Sequence, residues 1–241
     1  MEWIKITDVS IIAKSITIAY QISEGLAIYF SKGRTTFQVE YSENIENVPV
    51  GIAIIPFVCN VLPIVWLTDA TLYLPEIDQT FYKSIDDFKQ GYKNMYPMLP
   101  FVGKIEAGIK DYSYTADGGN AAFFSGGVDA FTTLIAHKDE HPLLVTMRGA
   151  DVTLDDIEGW ENVYTHVCKT AMQFDLPTPV TVTSTFRTFI DEGNLDGLVT
   201  ISGDGWWHGF QHGIGLLGQA APICFVKKNR ILVYSEYIYT R

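Results

Sequence analysis

The chain has 241 residues, of which 47% are hydrophobic and 13% aromatic, and its formal net charge is −11. This composition argues against a disordered chain, because it supplies enough apolar side chain for a sizeable core. The acidic balance and the lack of basic runs argue against a nucleic-acid backbone or an anionic membrane as the main partner, since both attract clustered lysine and arginine.

The first 115 residues predict a smaller, β-rich α+β domain. Three antiparallel strands linked by hairpins are predicted at 16–20, 26–30 and 35–41. Their residues are β-branched or alternate between apolar and polar. Residues 48–68 carry no charge, but three prolines interrupt them. A buried, proline-broken helix is therefore favoured over a membrane span.

A strand at 71–74 and a helix at 75–96 complete the predicted elements of this front domain. The helix is expected to begin at Pro75, and its aromatic residues recur at helical spacing. That spacing predicts a side of the helix that packs on the core. Residues 97–118 are expected to be a connection.

From residue 116 the pattern changes to alternating strands and helices. The segments that predict strands are 121–124, 143–147, 180–184, 198–201 and 231–234. Helices are predicted at 161–174 and 208–221. The alternation predicts an α/β domain over residues 116–241, with an open, Rossmann-like parallel sheet of five strands. Ligands of such sheets bind beyond the carboxyl ends of the strands.

Ser125, Gly126 and Gly127 join the first of these strands to a helix that begins at Val128. Glycine permits positive φ and lets another group approach the backbone closely. The free N–H groups and the dipole of the helix N-terminus favour an anion there. Asp129, in the first helical turn, could reach a metal beside a phosphate. The alternative is a plain strand-to-helix connection.

A second candidate segment follows the fourth predicted strand. Gly203 and Asp204 precede His208 and His212, which would share one helix face. Asp204 could bind Mg²⁺ or orient a substrate, or it could simply cap the helix. Two histidines without a third ligand are a weak metal signal.

Two further candidates follow the second and third predicted strands. Asp151 could bind a ribose or start a turn, and Arg187 could contact a phosphate or carboxylate or lie on the surface. Residues 213–218 fit Gly-x-Gly-x-x-Gly, but no predicted strand precedes them, so they do not predict a dinucleotide site. The chain also lacks a P-loop motif.

The three cysteines, Cys59, Cys168 and Cys224, are widely spaced and show no zinc-binding pattern. This favours buried thiols in a reducing compartment. The N-terminus lacks the basic region and continuous apolar core of a signal peptide. We therefore expect a cytoplasmic protein.

The stretch from Ser125 to Ala130 resembles the pyrophosphate-binding loop of the N-type ATP pyrophosphatases, whose signature reads Ser-Gly-Gly-x-Asp-Ser/Thr. Ala130 departs from this signature, which removes one phosphate contact and puts catalysis more in doubt than nucleotide binding. Uncharacterised bacterial proteins with a Ser-Gly-Gly-Val-Asp loop are similar to residues 120–236. They share an Arg-x-Phe segment, here Arg187 to Phe189, and a Gly-Asp-x-x-x-His segment.

This resemblance implies a HUP-like nucleotide-binding domain and an enzyme that uses ATP and Mg²⁺ to adenylate an unknown acceptor with release of pyrophosphate. The implied nucleotide-binding residues are Ser125, Gly126, Gly127, Val128, Asp129, Met147, Arg187 and Gly203, although Met147 could equally pack in the core. Asp129 and Asp204 are the implied catalytic and Mg²⁺-binding carboxylates. The similar bacterial proteins continue past the fifth strand, so the acceptor-binding part could be encoded separately.

Two other functions stay open. The chain could be a nucleotide-binding or sensing module without turnover, which the missing hydroxyl at Ala130 favours. It could also be a scaffold with a vestigial loop. A partner protein or a homo-oligomer would suit either function, and no nucleic-acid or membrane partner is expected.

Overall fold

The computed structural model describes residues 1–112 and 115–231, and it has a mixed α/β fold. Within these residues, nine strands form one sheet in the order β5-β4-β1-β2-β3-β8-β7-β6-β9. The strands are β1 Trp3–Ile12, β2 Ser15–Ile22, β3 Thr36–Tyr41, β4 Thr71–Asp78, β5 Lys104–Lys110, β6 Asn120–Phe123, β7 Leu143–Arg148, β8 Val180–Ser184 and β9 Arg230–Ile231. The α-helices are α1 Val50–Ala53, α2 Ile55–Leu67, α3 Gln79–Met95, α4 Val128–His137, α5 Ile157–Gln173, α6 Glu192–Val199, α7 His212–Gln219 and α8 Ala221–Lys227.

The front part of the sheet combines an antiparallel meander, β1-β2-β3, with two strands parallel to β1. Along β3, Phe37, Val39 and Tyr41 are buried, while Gln38 and Glu40 are exposed. Because side chains alternate between the faces of a strand, this pattern buries one face and leaves the other in solvent. The predicted strands at 16–20 and 35–41 are therefore confirmed.

Helix α2 explains the uncharged stretch at 48–68, because all 13 of its residues are buried. Pro56 lies in its first turn, where proline costs no helical hydrogen bond, and Pro63 lies in its interior. The helix packs under the sheet beside α7 and α8. Among the described residues, no helix has both the length and the apolar character needed to cross a membrane.

In the back part, the neighbouring strands β8, β7, β6 and β9 are all parallel. Helices cover both faces of this part. On one face, α4 and α5 pack on the sheet through Phe124, Leu134, Leu144 and Val167. On the other face, α2, α7 and α8 belong to the main core, which includes Val145 and Val182.

One sheet joins the two predicted parts, because β3 pairs with β8 and sets Tyr41 beside Val182. The main hydrophobic core likewise contains side chains from both parts. The predicted boundary near residue 115 falls between β5 and β6, far from this junction in the sequence. The division of the chain into domains 1–115 and 116–241 stays a prediction.

The predicted fourth strand, at 198–201, is wrong. Helix α6 ends at Val199, and a 3-10 helix spans Thr200–Ser202. Asp191 caps α6, because its side chain accepts a hydrogen bond from the N–H of Asn194. Leu195 and Val199, four residues apart, face the core together. Of the predicted fifth strand, Ile231 belongs to β9, and 232–234 lie outside the described residues.

Three front-half predictions also need correction. Residues 26–30 were expected to be a strand, but a 3-10 helix spans Glu24–Tyr29. Pro75 belongs to β4, at an irregularity in its pairing with β5, and α3 begins after its cap at Asp78. The connection predicted at 97–118 contains β5, in which Ile105, Ala107 and Ile109 alternate with Lys104, Glu106, Gly108 and Lys110. This alternation is a strand signal that the prediction did not use.

Candidate functional site

The candidate site lies at the edge of the sheet where β6, β7 and β8 end side by side, which we call the carboxyl edge. These strands are parallel, so the loops that follow them emerge at the same edge. From β8 to β3, β2 and β1, each neighbouring pair is antiparallel, and β4 is parallel to β1. Strand β4 therefore runs in the direction opposite to β8. Helix α3 returns from the far end of β4 and brings Tyr96 to the carboxyl edge.

The Ser-Gly-Gly loop connects β6 to α4 at this edge, as the sequence predicts. Gly126 has φ of +84°, a left-handed conformation that favours glycine, and Gly127 is the N-cap of α4. Ser125, Gly127 and Asp129 are exposed. The hydroxyl of Ser125 accepts a 3.4 Å hydrogen bond from the N–H of Gly127. The loop is therefore open to solvent, with its helix N-terminus accessible to a ligand.

His166 of α5 lies against this loop, although sequence reasoning did not select it. A Cβ added to Gly126 would lie 2.8 Å from Cδ2 of His166. The ring of His166 also packs edge-on against Phe131, with 5.8 Å between centroids. The backbone conformation of Gly126 thus favours glycine, and the absence of a side chain leaves the space that the imidazole occupies. No sequence motif marks His166, because it lies in the middle of α5 and belongs to no recognisable pattern of site residues.

The loop also lies where the strand order reverses. The chain leaves β6 through α4, moves to β7 and then β8, and returns to the other side of β6 as β9. Helices α4 and α5 cover one face of the sheet, and α7 and α8 cover the other. Loops on the two sides of such a reversal separate and leave a crevice, which is where open α/β sheets bind ligands.

Asp204 lies at the same edge and is surrounded by hydrogen-bond donors. Its Oδ2 accepts from the hydroxyl of Tyr96 at 2.7 Å. Its Oδ1 accepts from the N–H of Gly205 at 2.8 Å and from Nδ1 of His208 at 2.9 Å. Burial disfavours ionisation, but these hydrogen bonds outweigh it and lower the pKa of Asp204. The carboxylate orients Tyr96 and His208 while it stays charged.

A π-helix spans Trp206–Gln211 and carries His208 next to Asp204. Such helices are rare and often occur at functional sites. A Cβ on Gly209 would lie 2.6 Å from the Tyr96 hydroxyl and 2.8 Å from Oδ2 of Asp204, so a side chain there would displace this hydrogen-bonded pair. Phe210 stacks on Tyr96 with 4.5 Å between ring centroids, which fixes the tyrosine. The predicted single helix at 208–221 is therefore this π-helix followed by α7 and α8.

Arg187 follows β8 as predicted, but its guanidinium has protein partners. Nε and Nη2 donate to the two carboxylate oxygens of Glu192 at 2.6 and 2.7 Å. The guanidinium also lies 4.1 Å from the ring centroid of Trp207, and Nη1 donates to the carbonyl of Ala150. Its hydrogen bond with Glu192 raises the pKa of Arg187. The Arg187 side chain thus connects the loops after β7 and β8 to the π-helix. A contact between Arg187 and a phosphate, as predicted, would require its hydrogen bonds to Glu192 and Ala150 to break or rearrange.

Met147, Gly203 and His212 complete the predicted residues at this edge. Met147 is half-buried near the end of β7 and packs against the main core. Gly203 is exposed, and its φ of +77° ends the 3-10 helix Thr200–Ser202. His212 lies edge-on to Trp207, with 4.9 Å between centroids. Burial lowers the pKa of His212, and the charge of Asp151 acts in the opposite direction.

The two predicted metal ligands, Asp129 and Asp204, differ in their surroundings. Asp129 is exposed in the first turn of α4, whereas both oxygens of Asp204 accept hydrogen bonds. Among the described residues, no group of three or more His, Cys, Asp or Glu side chains is placed to hold a metal ion. A protein-only metal centre is therefore not assembled in this part of the chain.

Comparison with known proteins found no matching family model, no matching curated protein and no matching solved structure. The interpretation of the carboxyl edge consequently depends on its residues and geometry. Tyr96 and His166, which sequence reasoning did not select, belong to that geometry.

Proposed function

We propose that the chain binds ATP at the carboxyl edge, with the phosphates over the Ser-Gly-Gly loop and the N-terminus of α4. The observation that carries this proposal is the position of the loop. Ser125, Gly126 and Gly127 are accessible at the point where the strand order reverses. The strand order β8-β7-β6-β9 also supports a Rossmann-like arrangement, in which the first strand has the second on one side and the fourth on the other.

The groups at the loop suit a polyphosphate. The first N–H groups of α4 have no partner within the helix, and the helix dipole favours negative charge beside them. The hydroxyl of Ser125 adds a donor, and the left-handed conformation of Gly126 leaves the backbone accessible. In this proposal, Met147 is the residue nearest the nucleotide base, because β7 is the strand beside β6.

Asp129 is the residue that we assign to Mg²⁺. Magnesium in nucleotide sites needs one or two carboxylates and completes its coordination with phosphate oxygens and water. A single exposed carboxylate beside the loop therefore fits, and a cluster of three ligands is not required. When bound, the ion would neutralise phosphate charge. Because the oxygens of Asp204 already accept hydrogen bonds, the proposal gives Asp204 an orienting role.

The reaction that this site supports best is adenylation of an acceptor. An acceptor oxygen would attack the α-phosphorus, and pyrophosphate would leave with the electron pair of the broken P–O bond. The loop N–H groups and Ser125 would hold the leaving pyrophosphate and stabilise its charge. Positioning and charge neutralisation would provide the catalysis.

Ala130 favours a second candidate function, nucleotide binding without turnover. Its half-buried methyl group follows Asp129 and cannot donate a hydrogen bond to a phosphate. Nucleotide binding retains the backbone donors and Ser125, but stabilisation of the leaving group loses one contact. A sensing or assembly module would need only the binding step.

The test is the thermal midpoint with and without millimolar Mg-ATP, for the wild type and a Ser125→Ala/Asp129→Ala variant. Ligand at about 100 times its Kd stabilises a folded protein by about 2.7 kcal/mol, which corresponds to a rise of roughly 5–10 °C for a chain of this size. We expect this rise in the wild type and its loss in the variant. A Thr132→Ala/Asp139→Ala variant, which changes exposed side chains nearby, is the matched control and should behave as the wild type.

Absence of a shift in the wild type would contradict nucleotide binding by this chain. A shift that the loop variant retains would place the nucleotide elsewhere. A pyrophosphate-release assay then separates the two candidate functions, because a binding module produces no pyrophosphate.

A further inference from the structure

A second cleft opens beside the end of β2, well away from the Ser-Gly-Gly loop. We call it the β2 cleft, and its volume is about 680 Å³. Trp3, Ile22, Ile28, Lys32, Arg34 and Asp191 are among the residues that line it. This volume lies within the range of small-molecule sites, which is about 300–1,000 Å³.

Hydrogen bonds between distant segments hold the walls of the cleft together. The amide of Asn194 donates to the carbonyl of Ile28 at 2.8 Å. The hydroxyl of Ser31 donates to the carbonyl of Ile190 at 2.9 Å, and the hydroxyl of Tyr20 donates to the carbonyl of Arg34 at 3.1 Å. These bonds join β2, the 31–35 turn and the start of α6. The cleft is therefore preformed, which reduces the entropy lost on binding.

The charge of the cleft is opposite to that of the whole chain. Lys32 and Arg34 are exposed on its rim, and neither forms an ion pair with any described residue. Gly33, with φ of +77°, allows the tight turn that carries both cations. The one acidic residue in the lining is Asp191, whose carboxylate accepts a hydrogen bond from the N–H of Asn194 at 2.9 Å. The lining therefore has a net positive charge in a chain of −11.

The remaining lining is mostly apolar. Ile28, which lines the cleft together with Trp3 and Ile22, is 58% exposed. Phe30 anchors the wall to an aromatic cluster through contact with Tyr20, with 5.6 Å between centroids. An apolar ligand body that covered Ile28 would gain about 25 cal/mol for each Å² removed from water.

We propose that the β2 cleft binds a small organic anion with an apolar body, such as an aromatic carboxylate or sulfonate. Lys32 and Arg34 would contact the anionic group, and Trp3, Ile22 and Ile28 would contact the apolar part. The proposal is independent of nucleotide binding. Strands β2 and β6 are four positions apart in the sheet, which separates the two strands by about 19 Å.

The test measures binding of naphthoate by calorimetry to the full chain, with the neutral naphthamide as its uncharged counterpart. The cation variant is Lys32→Glu/Arg34→Glu. The matched control, Lys14→Glu/Lys83→Glu, makes the same charge change at exposed lysines that also lack ion pairs with described residues. Because hydrogen bonds to charged groups contribute about 1.5–3 kcal/mol each, we expect the cation variant to bind naphthoate at least roughly tenfold more weakly.

The control variant should keep wild-type affinity for naphthoate, and naphthamide should bind wild type and cation variant equally weakly. An Ile28→Ser variant should also weaken naphthoate binding while the chain stays folded. Equal naphthoate affinity in the wild type and the cation variant would overturn the proposal, as would absence of binding to the wild type.

Mg-ATP is itself an organic anion, so it is titrated into the same variants. Loss of ATP binding in the cation variant, with binding retained in Ser125→Ala/Asp129→Ala, would assign the nucleotide to the β2 cleft. That outcome would contradict the proposed function and the separate role of the cleft. Loss of ATP binding in Ser125→Ala/Asp129→Ala, with ATP binding retained in the cation variant, supports two distinct sites.

Discussion

The carboxylate of Asp204 depends on residues that are distant from it in the sequence. Its hydrogen bond from Tyr96 joins positions 108 residues apart, and Gly209 leaves the space in which that bond forms. Without these donors, burial alone would raise the pKa of the carboxyl group. The orientation of His208 therefore follows from the placement of α3 as well as from its own π-helix.

His212 should make the protein less stable in mild acid. Burial lowers its pKa in the folded state, so the unfolded chain binds the proton more tightly. Stability is then complete above the ordinary histidine pKa of about 6.5 and decreases as pH falls through that value toward the lowered one. Asp151, His208 and Arg187 are the charged or titratable neighbours that act on this group.

We expect His212→Asn to reduce the loss of thermal midpoint between pH 7.5 and 5.5. The matched control is His141→Asn at an exposed, left-handed position that asparagine tolerates. The measurement is the midpoint as a function of pH for the three proteins. An unchanged pH dependence in His212→Asn would contradict the role of this side chain.

The helices illustrate how capping residues set element boundaries. The α3, α5 and α6 helices all begin after an aspartate whose side chain accepts a backbone N–H three residues later. This contact satisfies one of the four N–H groups left without a helical partner. At α5, a Cβ on Gly159 would lie 2.1 Å from Oδ2 of Asp156, so a side chain at this position would displace the capping carboxylate.

Replacement of Asp156 by alanine should lower the free energy of unfolding by about 1 kcal/mol, because the N–H of Gly159 loses its partner. Asp156→Ser should retain most of the stability, since serine also caps helices. Chemical denaturation of the three proteins, with equal m values, gives the comparison. Equal stability of the alanine variant and the wild type would show that the cap contributes nothing.

The whole molecule is organised by the pairing of β3 with β8. This pairing makes the front and back strands one sheet, and the helix α2 from the front packs on α7 from the back. Burial shared between segments couples their stability. The architecture therefore predicts that residues 1–115 and 116–241 fold together.

Urea denaturation should show one transition, with coincident midpoints for tryptophan fluorescence and far-ultraviolet circular dichroism. A fragment of residues 116–241 should lack a cooperative transition, because β8 would lose β3 and the core would lose α2. A fragment that unfolds cooperatively, or two separate transitions in the full chain, would instead support two independent domains.

The sequence by itself was sufficient for the local features of this protein. The glycine turn after β6, the switch to strand-helix alternation and the buried character of 48–68 follow from side-chain size, backbone freedom and hydrophobic spacing. It misassigned 198–201, because Leu198-Val199-Thr200-Ile201 is as apolar and β-branched as a strand. There, the Asp191 cap and the burial of Leu195 with Val199 favour a helix.

Only the tertiary structure decided which distant groups meet. The hydrogen bond from Tyr96 to Asp204 and the contact of His166 with Gly126 join residues far apart in the sequence, and no periodicity of the sequence could show them. The same is true of the β2 cleft, whose walls come from residues about 160 positions apart. Local conformation depends on neighbouring side chains, whereas these contacts depend on the packing of one sheet across the whole chain.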